Sequence, residues 1–338
     1  MTNPLNTDLM SAKSVVVFGE VLFDLIREVD APASEPAREV PGGAPGNFAY
    51  RLLSMLPAST GLSVKMVSAV GADSRGEQIL TLLQEKGFDT TYIPRHSDYG
   101  TGLVDVTRHK SGDATYVIQK DAAYDHIPLS TKLAELAADA RVLYFGSLIQ
   151  REPEGSRQTL AAMLQTAPVD VIKFVDINLR NLCHSPETVR WSVEQASILK
   201  LNDEEVSVVA DAVGIDVLTP RGFAEALATR DNKTVIVTMG KNGAVLAYPD
   251  SSGTKILYEP GYQLNLEGRG DTVGCGDSFG AVYVDSLLQG FAPQACLVRA
   301  NEIGAAVALT NGGMSPVLPV HLVEVRAAAR NIERTMQP

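Results

Sequence analysis

The sequence DTVGCGDSFG at residues 271–280 is followed directly by a run with helical spacing at residues 281–288. Small residues before a helix leave its first backbone N–H groups uncovered, and such groups bind anions, including a transferring phosphoryl group. Asp277 falls in the first turn, where it is either an ordinary cap or a base that accepts a proton. The segment therefore predicts an anion site beside an acidic side chain.

Short apolar runs alternate with helical patterns along most of the chain. We predict buried strands at residues 15–18, 64–70, 142–145, 171–175, 198–201 and 234–238. A helix is predicted over residues 76–86, where apolar side chains follow the i, i+3, i+4, i+7 spacing and Gly87 suits the C-terminal cap. This alternation predicts a parallel sheet covered on both faces.

Two early segments break the alternation. Residues 23–40 and 101–120 alternate like strands, and in the second segment TGLVDVT and ATYVIQK flank the turn-prone HKSGD. We expect one small antiparallel sheet, a discontinuous β lid formed by about residues 23–41 and 100–121, within a single domain spanning residues 1–338. Residues 1–12 are expected to be flexible.

Composition argues against several classes of protein. The formal net charge is −11 and Lys and Arg form no basic run, so nucleic acid is not an expected partner. No apolar run approaches the roughly 20 residues that cross a bilayer, and no secretory signal is evident, so we expect a cytoplasmic protein without a membrane partner. The three scattered cysteines predict reduced thiols and no structural zinc.

Phosphate must be held without the commonest nucleotide motifs. The sequence has no GxxxxGK[ST] P-loop and no GxGxxG opening a helix after a strand, so neither a P-loop ATPase nor a nicotinamide enzyme is supported. It instead resembles the ribokinase-like, or PfkB, family of carbohydrate kinases. The C-terminal motif of that family is a DTxGAGD-type run before a helix, and here the run reads DTVGCGDSFGA.

Four further segments resemble motifs of that family, in the family's order. They are GGAPGNFA (42–49), GADSRG (71–76), NDEE (202–205) and TMGKNG (238–243), and DINLR (176–180) resembles a stretch of the fructokinase-like and ketodeoxygluconate-kinase-like members. Single glycine motifs usually mark turns, whereas five motifs in order are specific. The resemblance implies a ribokinase-like three-layer α/β/α domain with a mostly parallel central sheet and a small β-sheet lid.

The resemblance also implies an ATP-dependent sugar kinase with Asp277 as the base. Backbone N–H groups of Gly274, Cys275 and Gly276 are then expected to hold the transferring phosphoryl group. Arg180 either neutralises its charge or forms a structural ion pair with Asp176.

Cys275 departs from the family, which usually has Ala or Ser at this position. Cysteine is small enough to keep the backbone donor, so the anion site is expected to persist. A helix start also acidifies thiols, which leaves a thiol nucleophile as an outlying alternative to Asp277.

Four residues are expected to bind the sugar, namely Asp24, Gly42, Gly43 and Asn47. The two glycines permit close backbone approach, Asn47 offers a donor and an acceptor, and Asp24 accepts hydrogen bonds from hydroxyls. The alternatives are a helix cap for Asn47 and a solvated lid carboxylate for Asp24.

The nucleotide is expected over the carboxyl ends of the strands, between the TMGKNG loop and a helix beginning near Asn301. The residues expected to bind ATP are Asn178, Thr238, Gly240, Gly243 and Asn301.

Two metal ions are expected. Asn202 and Glu205 are placed to hold Mg²⁺ directly or through water, unless they only form a capping box. The resemblance implies a K⁺ site at Asp271, Val273 and the turn that contains Gly313.

The fructokinase branch gives the nearest resemblance, which makes D-fructose and its 6-hydroxyl the first choice of substrate. Ribose, ketodeoxygluconate and nucleosides stay open, because specificity depends on a few pocket side chains. A catalytically silent sugar sensor is the alternative from another class. The resemblance further implies a homodimer that pairs lid sheets, which would cover their edge strands.

Overall fold

The computed structural model describes residues 14–32, 35–57, 60–109, 114–180, 183–217, 219–266 and 269–331. The expected flexible start at residues 1–12 and most of the HKSGD turn lie outside these ranges. Within them, no helix is both long enough and apolar enough to span a bilayer.

The strands, in chain order, are β1 (Ser14–Phe18), β2 (Leu22–Glu28), β3 (Arg38–Gly42), β4 (Ser63–Val67), β5 (Val70–Gly71), β6 (Arg95–His96), β7 (Gly102–Arg108), β8 (Ala114–Ile118), β9 (Ala140–Gly146), β10 (Ile172–Asp176), β11 (Ile198–Asn202), β12 (Thr234–Thr238), β13 (Ala244–Asp250), β14 (Gly253–Glu259), β15 (Gly261–Tyr262) and β16 (Arg330–Asn331). The α-helices are α1 (Ala44–Met55), α2 (Ser74–Glu85), α3 (Thr131–Ala138), α4 (Ser156–Thr166), α5 (Pro186–Gln195), α6 (Val206–Val213), α7 (Pro220–Asp231), α8 (Cys275–Leu288), α9 (Pro293–Val307) and α10 (Pro319–Ala327).

The predicted strands are present, with one division. The run predicted over residues 64–70 becomes two strands, β4 and β5. Strands β4 and β5 belong to different sheets, because the N–H groups of Ser68 and Val70 donate to the carbonyl groups of Tyr92 and Pro94.

By contacts, the chain divides into two compact units. The first comprises residues 1–46 and 62–171 and contains β9, β1 and β4, which are parallel and lie in that order. The side chains of β1 are all buried, and residues 15–18 have no exposed surface. An apolar run of this kind is typical of a parallel strand covered on both faces.

The first unit also contains a smaller sheet with the order β3-β2-β7-β8. The β2–β3 and β7–β8 pairs are antiparallel, whereas β2 and β7 are parallel. The expectation of a purely antiparallel small sheet is therefore wrong. The chain between β2 and β7 makes a long crossover through α1 and α2 instead of a hairpin, and such a crossover permits parallel pairing.

The GADSRG motif fixes one end of this smaller sheet. Asp73 caps α2 by accepting from Gly76 N at 2.8 Å, and it also accepts from Thr101 N and Thr101 Oγ1 at 2.8 and 2.7 Å. Thr101 directly precedes β7. A Cβ at position 76 would lie 2.1 Å from Gly71 O, so this close approach requires glycine.

The second unit comprises residues 47–61 and 172–338. Strands β10, β11 and β12 are parallel, and β13 and β14 continue the sheet antiparallel. Within this unit α8 packs against α9, and α9 packs against α10. Gly280 of α8 faces the rings of Phe174 on β10 and Phe48 on α1, which brings the start of α8 towards β10.

Candidate active site

Asp277 lies in the first turn of α8 and is only 9% exposed. The helix cap is Gly274 rather than Asp277, and Gly274 has a left-handed backbone with φ of 79°. The Oδ2 atom of Asp277 instead accepts a hydrogen bond from Asn47 Nδ2 at 2.8 Å. The capping alternative for Asp277 is therefore wrong, and its carboxylate faces a side chain that arrives from α1.

The surroundings of Asp277 favour its protonated form more than water does. Burial raises the pKa of Asp277 to about 6, and the negative charge of Asp176 acts in the same direction. The bond from Asn47 and the positive charges of Lys200 and Arg180 oppose this shift. A carboxyl group whose pKa lies near the working pH is suited to accept a proton and later release it.

The turn containing Gly313 packs tightly against this site. A Cβ at position 313 would lie 2.3 Å from Asn47 Cγ, and a Cβ on Gly274 would lie 2.4 Å from Gly313 Cα. Real Cβ contacts are never this short, so these positions require glycine. The absence of a side chain at Gly313 therefore leaves room for the Asn47 side chain beside Asp277.

Arg51 connects the start of α8 to the turn that contains Gly313, and the sequence did not identify it. Its Nε donates to Ser278 Oγ at 3.1 Å and its Nη2 donates to the Ser315 carbonyl at 2.9 Å. The side chain is buried, and burial lowers the pKa of Arg51. An arginine among the apolar positions of a helix was the available signal, because a buried guanidinium needs partners.

A buried ion pair was also missed. Lys200 Nζ donates to both carboxylate oxygens of Asp176, at 3.0 and 2.9 Å. Burial alone would lower the pKa of Lys200, but the charge and hydrogen bonds of Asp176, together with the charges of Asp277 and Glu205, outweigh burial and raise it. The suggested ion pair between Arg180 and Asp176 is wrong. Arg180 is exposed, and the partner of Asp176 is Lys200 on the adjacent strand.

Asn202 and Glu205 form the capping box that was the structural alternative. Asn202 Oδ1 accepts from Glu205 N at 3.0 Å, and Glu205 Oε2 accepts from Asn202 N at 2.8 Å. Glu205 Oε1 also accepts from Leu179 N, which steadies the loop where Asn178 has a positive φ of 41°. Burial raises the pKa of Glu205. Across the described ranges, no group of three or more His, Cys, Asp or Glu side chains is placed to hold a metal ion.

The predicted anion donors differ in their availability. Cys275 N already donates to Thr272 O, in a long bond of 3.3 Å, whereas the first N–H groups of a helix have no partner within the helix itself. Burial raises the pKa of the Cys275 thiol to about 12, with the charges of Asp277 and Asp271 acting in the same direction. The expectation of an acidified thiol is therefore wrong, because burial and the nearby carboxylates disfavour the thiolate.

A cleft of about 770 Å³ opens beside the start of α8. Four of the five predicted nucleotide residues line it, namely Thr238, Gly240, Gly243 and Asn301, and so do Cys275 and Gly276. Asn178 does not line this cleft. Its apolar wall includes Tyr262, Leu264, Leu266, Phe279, Ala305 and Ala308.

The backbone explains the two glycines of the loop after β12. A Cβ on Gly243 would lie 2.0 Å from Glu259 O, whereas Gly240, with φ of 51°, faces open space. Asn301 Nδ2 donates to Pro260 O at 2.9 Å. The expectation that a helix begins near Asn301 is wrong. Asn301 lies inside α9, which begins at Pro293 because proline suits the first helical turn.

The Asp271 carboxylate accepts hydrogen bonds from both loops expected to hold K⁺. Its Oδ1 accepts from Val273 N at 2.9 Å and its Oδ2 accepts from Gly312 N at 3.1 Å. These bonds align the loop before α8 with the turn that contains Gly313.

The remaining predicted sugar residues lie in the first unit. Asp24 is half-buried on β2, and a Cβ at position 42 would lie 2.8 Å from its Oδ2 atom. Gly43 has φ of 110°, and a Cβ there would lie 2.5 Å from Glu20 O. Glycine at these positions keeps β3 close to the Asp24 carboxylate.

A family model described as "pfkB family carbohydrate kinase" matches residues 12–320. The chain belongs to the pfkB family of carbohydrate kinases. Among its relatives, the ATP-dependent 6-phosphofructokinase of Thermoanaerobacterium thermosaccharolyticum is 28% identical over 302 residues, covering 87% of this chain and 86% of the relative. The fructokinase of Salmonella typhimurium is 25% identical over 321 residues, covering 90% and 96%.

Solved structures confirm the ribokinase-like α/β fold of this pfkB kinase. A fructokinase with bound ATP from Xylella fastidiosa superposes with a TM-score of 0.74 at 20% identity, covering 93% of this chain and 98% of that chain. The shared architecture is a large, mostly parallel sheet flanked by helices, plus a smaller sheet.

Proposed function

We propose that this pfkB kinase transfers the γ-phosphoryl group of ATP to a hydroxyl of a small sugar, with Asp277 accepting the hydroxyl proton. One observation carries the proposal: a buried carboxylate with a pKa of about 6 lies in the first turn of a glycine-flanked helix whose start lines a large cleft. The acid and the anion-binding backbone are thus within one helical turn of each other.

The cleft suits a nucleotide in size and chemistry. Its volume of about 770 Å³ lies within the range of small-ligand sites, and its lining combines apolar side chains with glycine backbone. We assign the base to the side of Tyr262 and Leu264 and the phosphates to Thr238, Gly240 and the start of α8. ATP supplies the phosphoryl group, and the chain supplies position, donors and a dry environment.

The donors present suit an anion whose charge grows in the transition state. We assign this role to the N–H groups of Gly274 and Gly276, with Cys275 N contributing less because Thr272 O already accepts from it. Arg180, exposed beside the site, adds a positive charge that acts on Asp277.

We place Mg²⁺ on the nucleotide, held through water by Glu205 and Asn202. Both oxygens of Glu205 already accept backbone bonds, but each retains a lone pair for a water ligand. We assign K⁺ to Asp271, Val273 and Gly313. Hydrogen bonds from Val273 N and Gly312 N to the Asp271 carboxylate keep the two loops that carry these residues together.

For the sugar we propose Asp24, Gly42, Gly43 and Asn47, with D-fructose and its 6-hydroxyl as first choice. The relative named ATP-dependent 6-phosphofructokinase makes fructose 6-phosphate the second candidate. Ribose, ketodeoxygluconate and nucleosides follow. We also retain a homodimer through the smaller sheet and a cytoplasmic location as proposals.

The test is a coupled ADP-release assay with Mg²⁺ and a panel of D-fructose, fructose 6-phosphate, ribose, ketodeoxygluconate and a nucleoside. We expect rapid ADP release with one or two members, and a phosphorylated product by mass spectrometry. If the protein binds ATP and sugar but yields no product, a sensor replaces the enzyme.

A further inference from the structure

The Lys200–Asp176 ion pair is built into the sheet of the second unit. The two residues face each other in the register of β10 and β11, and their side chains are only 6% and 2% exposed. Two hydrogen bonds of 3.0 and 2.9 Å join Lys200 Nζ to the Asp176 carboxylate. Neighbouring strands thus fix the position of both charges.

This pair belongs to the site beside α8. A Cβ on Gly276 would lie 3.4 Å from Lys200 Nζ, so the ammonium group lies directly under the start of the helix. The charge of Asp176 and the charge of Lys200 both act on Asp277, with opposite sign. A buried ion pair is weak evidence for stability, because desolvation offsets its attraction, so its location next to Asp277 calls for another role.

We propose that Lys200 and Asp176 are positioning residues that set the charge state of Asp277, Lys200 favouring the carboxylate and Asp176 favouring the acid. The proposal rests on the proposed role of Asp277 as the base. While the pair is intact, its opposite charges oppose each other at Asp277, which can then both take and return a proton. Loss of one partner leaves the other uncompensated in a buried site, where charges act strongly.

The other groups that face Asp277 come from different elements. Asn47 on α1 donates to its carboxylate, Arg180 beyond β10 contributes positive charge, and Cys275 on α8 is a neutral thiol. Glu205 interacts through its charge with both members of the pair, Asp176 and Lys200. All four stay unchanged in the variants below, so differences between variants report the ion pair.

The test measures the titration of Asp277 directly by ¹³C NMR of aspartate carboxyl groups, with the signal assigned by its loss in Asp277→Asn. In Asp176→Asn the Lys200 charge is uncompensated, so the midpoint should fall by about one pH unit or more. In Lys200→Met the ammonium is lost, so the midpoint should rise by about one unit or more. The double variant, which leaves no unpaired charge, should lie between the two.

Lys233→Met is the matched control. Lys233 is also a buried lysine in this unit, directly before β12, but its Nζ donates to the Val193 carbonyl and forms an ion pair with Asp231 instead of Asp176. Its replacement should lower stability without moving the Asp277 midpoint. If Lys200→Met does not fold, Asp176→Asn and the double variant still decide the question, because each predicts a defined position of the midpoint.

Midpoints that stay within a few tenths of a pH unit, or that move in the same direction in both single variants, overturn the inference. The acid limb of kcat/KM for the best sugar of the panel should move in parallel with the NMR midpoint. Opposite NMR shifts without any sugar phosphorylation would retain the ion-pair effect and reject the proposed function. Sugar phosphorylation with an unmoved midpoint would reject only the ion-pair effect.

Discussion

Asp277 combines deep burial and the nearby charge of Asp176 with a neutral side-chain donor, Asn47, and this combination accounts for its raised pKa. Burial penalises the charged form more than one neutral hydrogen bond restores it. The residue therefore changes charge close to neutral pH, where an ordinary aspartate stays ionised.

The pH dependence of the reaction follows from this residue. Only the carboxylate form accepts a proton, so kcat/KM for the best sugar should be level at neutral pH and fall as pH drops through the Asp277 pKa of about 6. Below that midpoint the decline should approach tenfold per pH unit. Initial rates at saturating MgATP measure it. An activity that stays level to about pH 4.5 would contradict a base of this pKa.

Cys275 should contribute its backbone and not its thiol. With a thiol pKa of about 12, no thiolate forms at neutral pH, and alanine keeps the same N–H group. Cys275→Ala should therefore keep turnover within a factor of about three. Turnover and intact-protein mass spectra measure this. A folded but inactive variant, together with a phosphoryl adduct on the wild-type enzyme, would favour covalent catalysis instead.

Residue chemistry was predictable from the sequence where a motif carried it, as for Asp277 in DTVGCGD. The partners Asn47 and Lys200 were harder to assign. They come from distant parts of the chain, and only folding brings them to the site. A lysine inside the apolar run ILKL was a usable signal, because a buried ammonium group requires a carboxylate nearby.

The site depends on three tightly packed segments: the start of α8, the start of α1 and the turn at residues 311–315. Glycines at 274 and 313 allow this packing, and Arg51 joins the start of α8 to the turn. A single methyl group at the contact should therefore disturb catalysis more than overall folding.

Gly313→Ala tests this packing. Its Cβ would lie 2.3 Å from Asn47 Cγ, so Asn47 must move away from Asp277, and kcat should fall by about 10- to 100-fold. The control is Gly290→Ala beyond the far end of α8, where a Cβ meets open space and only the positive φ of 77° is strained. Steady-state kinetics and thermal unfolding of both variants measure the effects. Unchanged kcat in Gly313→Ala would contradict the packing account.

Among the elements, β12 was predicted at its observed bounds, Thr234–Thr238, because its side chains form one uninterrupted β-rich run. The parallel pairing of β2 with β7 was not predicted, since local alternation defines a strand but not its distant neighbour. The start of α9 was not predicted correctly: the helix begins at Pro293, a residue typical of a first helical turn, and Asn301 lies inside it.

We expect the protein to form a homodimer through the smaller sheet of the first unit. Its edge strand β8 exposes Tyr116 and Val117, 59% and 58% of their surface, and exposed edge strands with apolar side chains tend to pair. Sedimentation should give twice the chain mass of 36.1 kDa.

Val117→Lys should convert the dimer to a monomer, because charge on an edge strand opposes pairing. The control is Val323→Lys, which changes a similarly exposed valine on α10 outside the smaller sheet, and it should stay dimeric. A wild-type monomer at all micromolar concentrations would contradict this interface.

The order of the five motifs predicted the family and the fold. Each motif lies at a loop or a helix start, and the fold sets the distances along the sequence between these positions. The sugar itself was not predictable at this scale. Its specificity depends on a few side chains, and relatives of similar identity carry different substrate names.

The most direct test of the account is the turnover of Asp277→Asn with the best sugar of the panel. Asparagine keeps the shape of the side chain but cannot take up the proton, so sugar-dependent ADP release should fall by about 10²- to 10⁴-fold. Calorimetry should show ATP and sugar affinities close to those of the wild-type enzyme. Near-normal turnover by the folded variant would contradict the assignment of Asp277 as the base.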